Sequence, residues 1–195
     1  MLETAYEMTL RAYLTNHVRL EALLERITEE QLMWRATPHA LPIAFHVWHM
    51  ARWADHFAAS VPGYTPVLGE RLGPGGQIWV AENIGAQWGW PVDALGYAAT
   101  GMQMSELVAA DLTFPPKAQF VAYVHRAFAA AERAISAIDA EQFDEAEQVQ
   151  PLTRDIWEEG TVGGAIFGHL VHDSRHFGAI ECLLGLQVGG GSITV

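Results

Sequence analysis

Six of the nine histidines in the chain fall into two groups with the same regular spacing. Within each group the steps along the chain are three or four residues, and a tryptophan takes one place in the first group. The positions are His46, His49, Trp53 and His56 in one group, and His169, His172 and His176 in the other. At about 100° per residue, such steps keep the side chains of a group on one face of an α-helix. Small and apolar neighbours on that face, such as Ala165 and Leu183, indicate that it points into the protein.

Buried imidazoles need polar partners. Leaving five or six of them without any would cost about 1–3 kcal/mol each, which is a large part of a domain's net stability. A divalent metal ion satisfies them directly, because two histidines four residues apart present two nitrogens to one ion and a facing helix supplies a third. Water would take the fourth position. With few inward carboxylates and one cysteine, a three-histidine site suits Zn²⁺, Ni²⁺ or Fe²⁺. A water or thiol bound there would be acidified.

Four stretches with a helical period must hold these histidines in position. The first covers about residues 3–28, and its inward positions are Tyr6, Leu10, Tyr13, His17, Leu20, Leu24 and Ile27. Thr28 and Gln31 form a capping-box pattern, which predicts a short helical turn. The second stretch begins near Pro42 and ends near Ser60, the third follows Pro115 and Pro116 and ends near Asp139, and the fourth covers about residues 161–186. Since no stretch alternates apolar and polar residues, the predicted fold class is all-α, a four-helix bundle.

The helical period breaks between Val61 and about Pro116. This segment is rich in glycine and proline and contains Trp79, Trp88 and Trp90. Because three tryptophans argue against disorder, we expect an ordered flap with short helices between the second and third helices. An acidic connection covers residues 142–159. We predict one domain over residues 1–188 and a flexible tail over residues 189–195.

The charge balance excludes some classes of function. With 11 Lys and Arg against 23 Asp and Glu, the formal net charge is −12, and such a surface repels nucleic acid and anionic lipid. The acidic start does not fit a signal peptide, and no apolar run is long enough to span a membrane. We therefore expect a cytoplasmic protein that acts on neither DNA nor membranes.

Two further expectations concern other residues. Cys182 lies six residues beyond His176, so we expect a packed core thiol rather than a nucleophile. Apolar residues on the presumed outer faces of the first and third helices suggest a homodimer. These are Leu14, Leu23 and Phe120.

Three segments of the chain also carry a resemblance to a known family. They cover residues 27–35, 43–55 and 172–181, and the last contains a His-x-x-x-His-x-Gly pattern from His172 to Gly178. In these segments the sequence resembles the DinB/YfiT-like superfamily of metal-dependent bundle proteins. Ala179 departs from the pattern, because family members often carry Gln there.

The resemblance implies that His49, His172 and His176 bind a divalent metal ion. His46 is the alternative to His49 as a ligand, since both lie on nearly the same face. His46, His169, His56 and His17 would otherwise line the pocket or orient the ligands, with an ordinary core or groove histidine as the competing interpretation.

The resemblance further implies a metalloenzyme, a thiol-dependent transferase or a hydrolase, whose partner is a small-molecule substrate or a low-molecular-weight thiol. An open metal position under the Trp79–Trp90 flap would favour this hypothesis. The alternative is a non-catalytic stress-response or ligand-binding protein that a metal ion only stabilises. A fourth protein ligand such as His46 would favour that alternative. An activity on DNA conflicts with the net charge of −12.

Overall fold

The computed structural model describes residues 4–145 and 160–188 and is all-α. Four long helices form the bundle: α1 (Ala5–Arg26), α3 (Ile43–Ser60), α8 (Lys117–Ser136) and α10 (Val162–Val188). The short helices are α2 (Glu29–Met33), α4 (Pro66–Leu72), α5 (Ile78–Ala81), α6 (Ile84–Gln87), α7 (Glu106–Asp111) and α9 (Ala140–Phe143). Among the described residues, β pairing is limited to one bridge between Tyr97 and Met102. The predicted four-helix bundle is confirmed.

Local sequence signals set the ends of the first helices. Thr28 accepts a hydrogen bond from the backbone N–H of Gln31, whose side chain accepts one from the Thr28 N–H, so the predicted capping box is present. Thr4 and Glu7 make the same box at the start of α1. Helix α3 follows Pro42 and ends at a 3₁₀ turn, Val61–Gly63.

The long helices run in two directions. Contacts of His17 with Glu132 and of Glu21 with His125 make α1 and α8 antiparallel. In the same way, His46 contacts His176 and Phe57 contacts His169, so α3 and α10 are antiparallel. Asn16 of α1 bonds to Ser174, and Gln187 near the end of α10 bonds to Gln31 in α2, just beyond the end of α1, so α1 and α10 run in parallel. Helices α3 and α8 are therefore parallel neighbours, and a long crossover joins them.

That crossover is the flap, residues 61–116, in which Trp79 and Trp90 lie in the core and Trp88 packs against it. Trp79 and Trp90 are 2% and 5% exposed and pack against Trp48, Tyr123 and Phe114. These tryptophans fill the space between α3 and α8. Two parts of the flap reach the histidines: Thr100 bonds to His49, and Gln77 bonds to His56.

Burial corrects two further expectations. Leu23 and Phe120, expected on outer faces, are 3% and 0% exposed and belong to the monomer core. They therefore give no support to a homodimer, which stays a prediction. Cys182, expected in the core, is exposed.

The acidic connection beyond residue 145, up to residue 159, and the tail 189–195 lie outside the described residues. No helix in the described ranges is long and apolar enough to cross a membrane.

Candidate metal centre

Three histidines from two antiparallel helices converge inside the bundle. His49 comes from α3, and His172 and His176 come from successive turns of α10. Each offers one ring nitrogen, and these three nitrogens lie within 4.8 Å of one another. The ring centroids form a nearly regular triangle with sides of 4.6, 4.6 and 4.9 Å. This arrangement is able to hold a metal ion.

Each of these rings has a polar partner on Nδ1. His49 Nδ1 donates to the backbone carbonyl of Thr100 at 2.5 Å. His172 Nδ1 lies 3.1 Å from Oδ1 of Asp173. His176 Nδ1 lies 3.0 Å from Nδ1 of His46. Partners of this kind fix the tautomer and orientation of metal-binding imidazoles.

The positions of the ring hydrogens on His49 and His172 show that the Nε2 atoms of both rings suit a cation. Because a carbonyl only accepts, Nδ1 of His49 carries a hydrogen and its Nε2 presents a lone pair. Asp173 likewise favours a hydrogen on Nδ1 of His172, so its Nε2 presents a second lone pair. The two Nε2 atoms are only 2.9 Å apart. Two facing lone pairs need a positive charge between them, which a proton or a metal ion supplies. Nitrogens bound tetrahedrally to one Zn²⁺ would be about 3.3 Å apart, close to this separation.

Comparison with known proteins agrees with this architecture. The family model of the DinB superfamily matches residues 12–180. The chain belongs to the DinB superfamily. A solved structure, described as the conserved protein of locus from Enterococcus faecalis, is similar with a TM-score of 0.67 and 13% identity, over 96% of this chain and 99% of that one. At that identity the likeness shows the fold alone. No curated protein matches the sequence.

The other candidate histidines of this DinB chain take different places. His46 contacts His176 and lies outside the group of three. His169 packs against Phe57 and Trp53, with centroid distances of 4.3 and 5.9 Å. Nδ1 of His56 accepts a hydrogen bond from the amide Nε2 of Gln77 at 3.1 Å. His46, His169 and His56 therefore lie outside the group of three. Among them, His46 contacts that group through a ring nitrogen.

A chain of polar groups links the site to α1 and α8. Asp173 contacts His172 through one oxygen, and its other oxygen lies 3.7 Å from Nε2 of His17. His17 is fully buried, and its Nδ1 lies 3.1 Å from Glu132. Burial alone would raise the pKa of Asp173, but its interactions with His17 and His172 outweigh this and lower the pKa to about 2. Burial lowers the pKa of His17, yet the carboxylates of Asp173 and Glu132 raise it overall.

Burial favours the neutral form of His49 and His176. Burial, followed by the proximity of His172, lowers the pKa of His49 to about 4. For His176, burial and then His49 and His172 lower the pKa to about 2. Burial also lowers the pKa of His169 to about 3. Neutral rings are the form that binds metal, so protons compete weakly at neutral pH.

The sequence did not single out Arg52, Asp55, Thr100 or Asp173 for this region. Arg52 and Asp55 are the only formally charged residues in α3, and both are completely buried. The sequence did contain a signal for Arg52 and Asp55, because they are two opposite charges three residues apart on a helix with no other formal charge. Thr100 acts through its backbone carbonyl, which leaves no signal in the sequence.

Proposed function

We propose that His49, His172 and His176 bind one divalent metal ion with a position left for water or a thiol. On this basis the protein is a metalloenzyme, a thiol-dependent transferase or a hydrolase. The convergence of three ring nitrogens within 4.8 Å, on helices far apart in sequence, carries the proposal. The partners on Nδ1 of the rings support it, because they hold the rings in the orientation and tautomer that a metal ion needs.

The protein's own groups prepare the ligands. Thr100 and Asp173 accept hydrogens from Nδ1 of His49 and His172, which turns Nε2 of both rings toward the centre. His46 can accept from Nδ1 of His176, which frees Nε2 of that ring. When bound, a divalent ion held by neutral imidazoles would supply Lewis acidity and lower the pKa of a water or thiol. Zn²⁺, Ni²⁺ and Fe²⁺ all suit these ligands.

A small-molecule substrate or a low-molecular-weight thiol fits such a centre better than a polyanion. The net charge of −12 opposes nucleic acid at any surface not locally basic. Trp53 and Tyr97, both partly exposed, lie beside the site with their rings 6.2 Å apart and tilted by 21°. Trp53 also contacts His172, so an apolar part of a substrate would meet an aromatic wall there.

A second candidate function is non-catalytic: the ion would only tie α3 to α10. The separation of 123 residues between His49 and His172 favours it, because a link between distant segments restrains the unfolded chain most. The two candidates differ in whether an external ligand reaches the ion.

Metal analysis of purified protein tests the shared claim. We expect about one equivalent of metal in the natural chain and a loss of most of it in His172→Ala and His176→Ala. His39→Ala is the matched control, because His39 is exposed and does not belong to the group of three. Equal metal content in all four proteins would contradict the proposal.

Cobalt substitution then separates the two candidates. Addition of glutathione to the Co²⁺-loaded protein should produce a sulfur-to-cobalt charge-transfer band if a position is open. An unchanged spectrum with glutathione and with azide would favour the non-catalytic function.

A further inference from the structure

Three consecutive backbone carbonyls of the flap are held by side chains of one helix. Arg52 donates to the carbonyl oxygens of Ala98 and Ala99 at 2.8 and 3.0 Å. His49 donates to the next carbonyl, that of Thr100, at 2.5 Å. Because His49 and Arg52 are three residues apart on α3, their side chains lie on the same side of the helix. The flap is therefore fixed to α3 directly beside a ring of the metal centre.

The guanidinium group of Arg52 is held by hydrogen bonds on all of its N–H groups and by one aromatic ring. Its five N–H groups have five acceptors, the other three being Asp55, Gln77 and the hydroxyl of Tyr123, at 2.7–3.2 Å. The guanidinium also lies over the ring of Trp79, 5.0 Å from its centroid. Asp55 in turn accepts from the backbone N–H groups of Ile78 and Trp79, both at 2.8 Å. The Arg52–Asp55 pair thus binds two separate parts of the flap, residues 77–79 and residues 98–99.

The held segment has a backbone that needs such support. Ala98 and Ala99 have φ values of +46° and +52°, in the left-handed region that residues with a Cβ seldom adopt. Their carbonyls are the two that Arg52 binds. Backbone of this kind persists only where its surroundings hold it, and it is common beside functional sites.

We propose that Arg52 is a positioning residue of the metal centre. Through the carbonyls of Ala98 and Ala99 it sets the place of the Thr100 carbonyl, which keeps the hydrogen of His49 on Nδ1 and leaves Nε2 for the ion. This inference rests on the proposed metal site, but the effect on the His49 tautomer does not need a metal.

Gly101 offers an independent way to disturb the same contact. A Cβ at this position would lie 3.1 Å from Nδ1 of His49 and 2.9 Å from the ring of Trp48. A methyl group there would push the loop away from the His49 ring. Gly89 is the matched control: its φ is +72° against +91° for Gly101, yet nothing lies within 4 Å of its Cβ position. The two alanine variants share the backbone strain, and only one affects His49.

The experiment compares the natural chain with Arg52→Lys, Gly101→Ala and Gly89→Ala. Arg52→Lys keeps the buried charge opposite Asp55 but loses the planar fork that spans two carbonyls. Two readouts are needed: Zn²⁺ affinity by competition with a chromophoric chelator, and the His49 tautomer in metal-free protein by long-range ¹H–¹⁵N NMR. Circular dichroism checks that each variant is folded.

We expect Arg52→Lys and Gly101→Ala to bind Zn²⁺ about 10–100-fold more weakly, with Gly89→Ala close to the natural chain. In metal-free protein, the His49 ring should carry its hydrogen on Nδ1 in the natural chain and a mixture of tautomers in the two affected variants. Unchanged affinity and tautomer in both variants would overturn the inference while leaving the metal site intact. If the natural chain binds no Zn²⁺, the proposed function fails, and the tautomer alone decides the role of Arg52. If Arg52→Lys does not fold, Gly101→Ala against Gly89→Ala gives the answer.

Discussion

Nε2 of His49 lies 2.9 Å from Nε2 of His172, although 123 residues separate them in the chain. Helices α3 and α10 bring the two rings together, and the carbonyl of Thr100 and the carboxylate of Asp173 act on their far nitrogens. The close approach of two lone pairs is unfavourable by itself and becomes favourable with a cation between them. The predictions below follow from this relationship.

Removal of metal should destabilise the fold. A metal ion at 100 times its dissociation constant adds about 2.7 kcal/mol to the free energy of unfolding. For a domain of this size that corresponds to roughly 5–10 °C in the melting temperature. Differential scanning calorimetry with and without EDTA should show this difference in the natural chain and in His39→Ala. His172→Ala should melt at the same temperature in both buffers. If EDTA has no effect on the natural chain, the ion does not join α3 to α10.

Acid should destabilise the metal-free protein before ordinary carboxylates titrate. The pKa of His49 is about 4 in the fold and about 6.5 in an unfolded chain. Between these values the unfolded chain takes up a proton that the folded chain does not, so stability falls as the pH falls. The full contribution of His49 is about 3 kcal/mol. His176 acts in the same direction, and His17, whose pKa is raised, acts in the opposite one.

The test is urea unfolding of metal-free protein between pH 7 and pH 4.5. His49→Gln should reduce the slope of unfolding free energy against pH by up to about 1.4 kcal/mol per pH unit, which is the contribution of one proton. Parallel curves for His49→Gln and the natural chain would contradict the lowered pKa.

Asp173→Asn should weaken metal binding without removing a ligand. Asn keeps the size of the side chain but loses the charge that acts on Nδ1 of His172 and on His17. Loss of such a partner costs about 10–100-fold in metal affinity. Asp144→Asn is the control, because Asp144 is exposed. Chelator competition should separate the two variants, and equal affinities would mean that Asp173 serves the bundle rather than the centre.

Asp55→Asn should cost far more stability than the same neutralisation on the surface. It leaves Arg52 buried without its counter-ion, and breaking a buried pair typically costs about 3–5 kcal/mol. Glu82 pairs with Arg126 in a surface ion pair, so Glu82→Gln should change the free energy of unfolding far less than Asp55→Asn. Chemical denaturation of both variants measures the difference. A loss below 1 kcal/mol for Asp55→Asn would show that the flap does not depend on this pair.

The sequence predicts the features that depend on the helical period and on local capping. Steps of three and four residues are enough to identify the faces of α3 and α10 that carry His49, His172 and His176. Thr28 and Gln31 identify the start of α2, because a capping box involves only residues three positions apart.

Other features depend on which element covers a given face, and the period does not contain that information. Phe120 is buried because Trp88 and Phe114 of the flap pack over it, at centroid distances of 6.0 and 5.7 Å. Leu23 lies in the core because α1 packs against both α8 and α10. Thr100 accepts the hydrogen of His49 through its backbone carbonyl. The position of that carbonyl depends on the tertiary contacts that Arg52 makes with the same loop. The sequence therefore indicates the ligand candidates better than the groups that orient them.

Diffraction data collected at the metal absorption edge test the central claim most directly. Crystals of protein loaded with Zn²⁺ should show one strong anomalous peak bonded to nitrogens of His49, His172 and His176, with His46 hydrogen-bonded to His176 and one further position not filled by the protein. A peak bonded to His46 in place of His49, or the absence of any peak among these rings at full Zn²⁺ loading, would contradict the account.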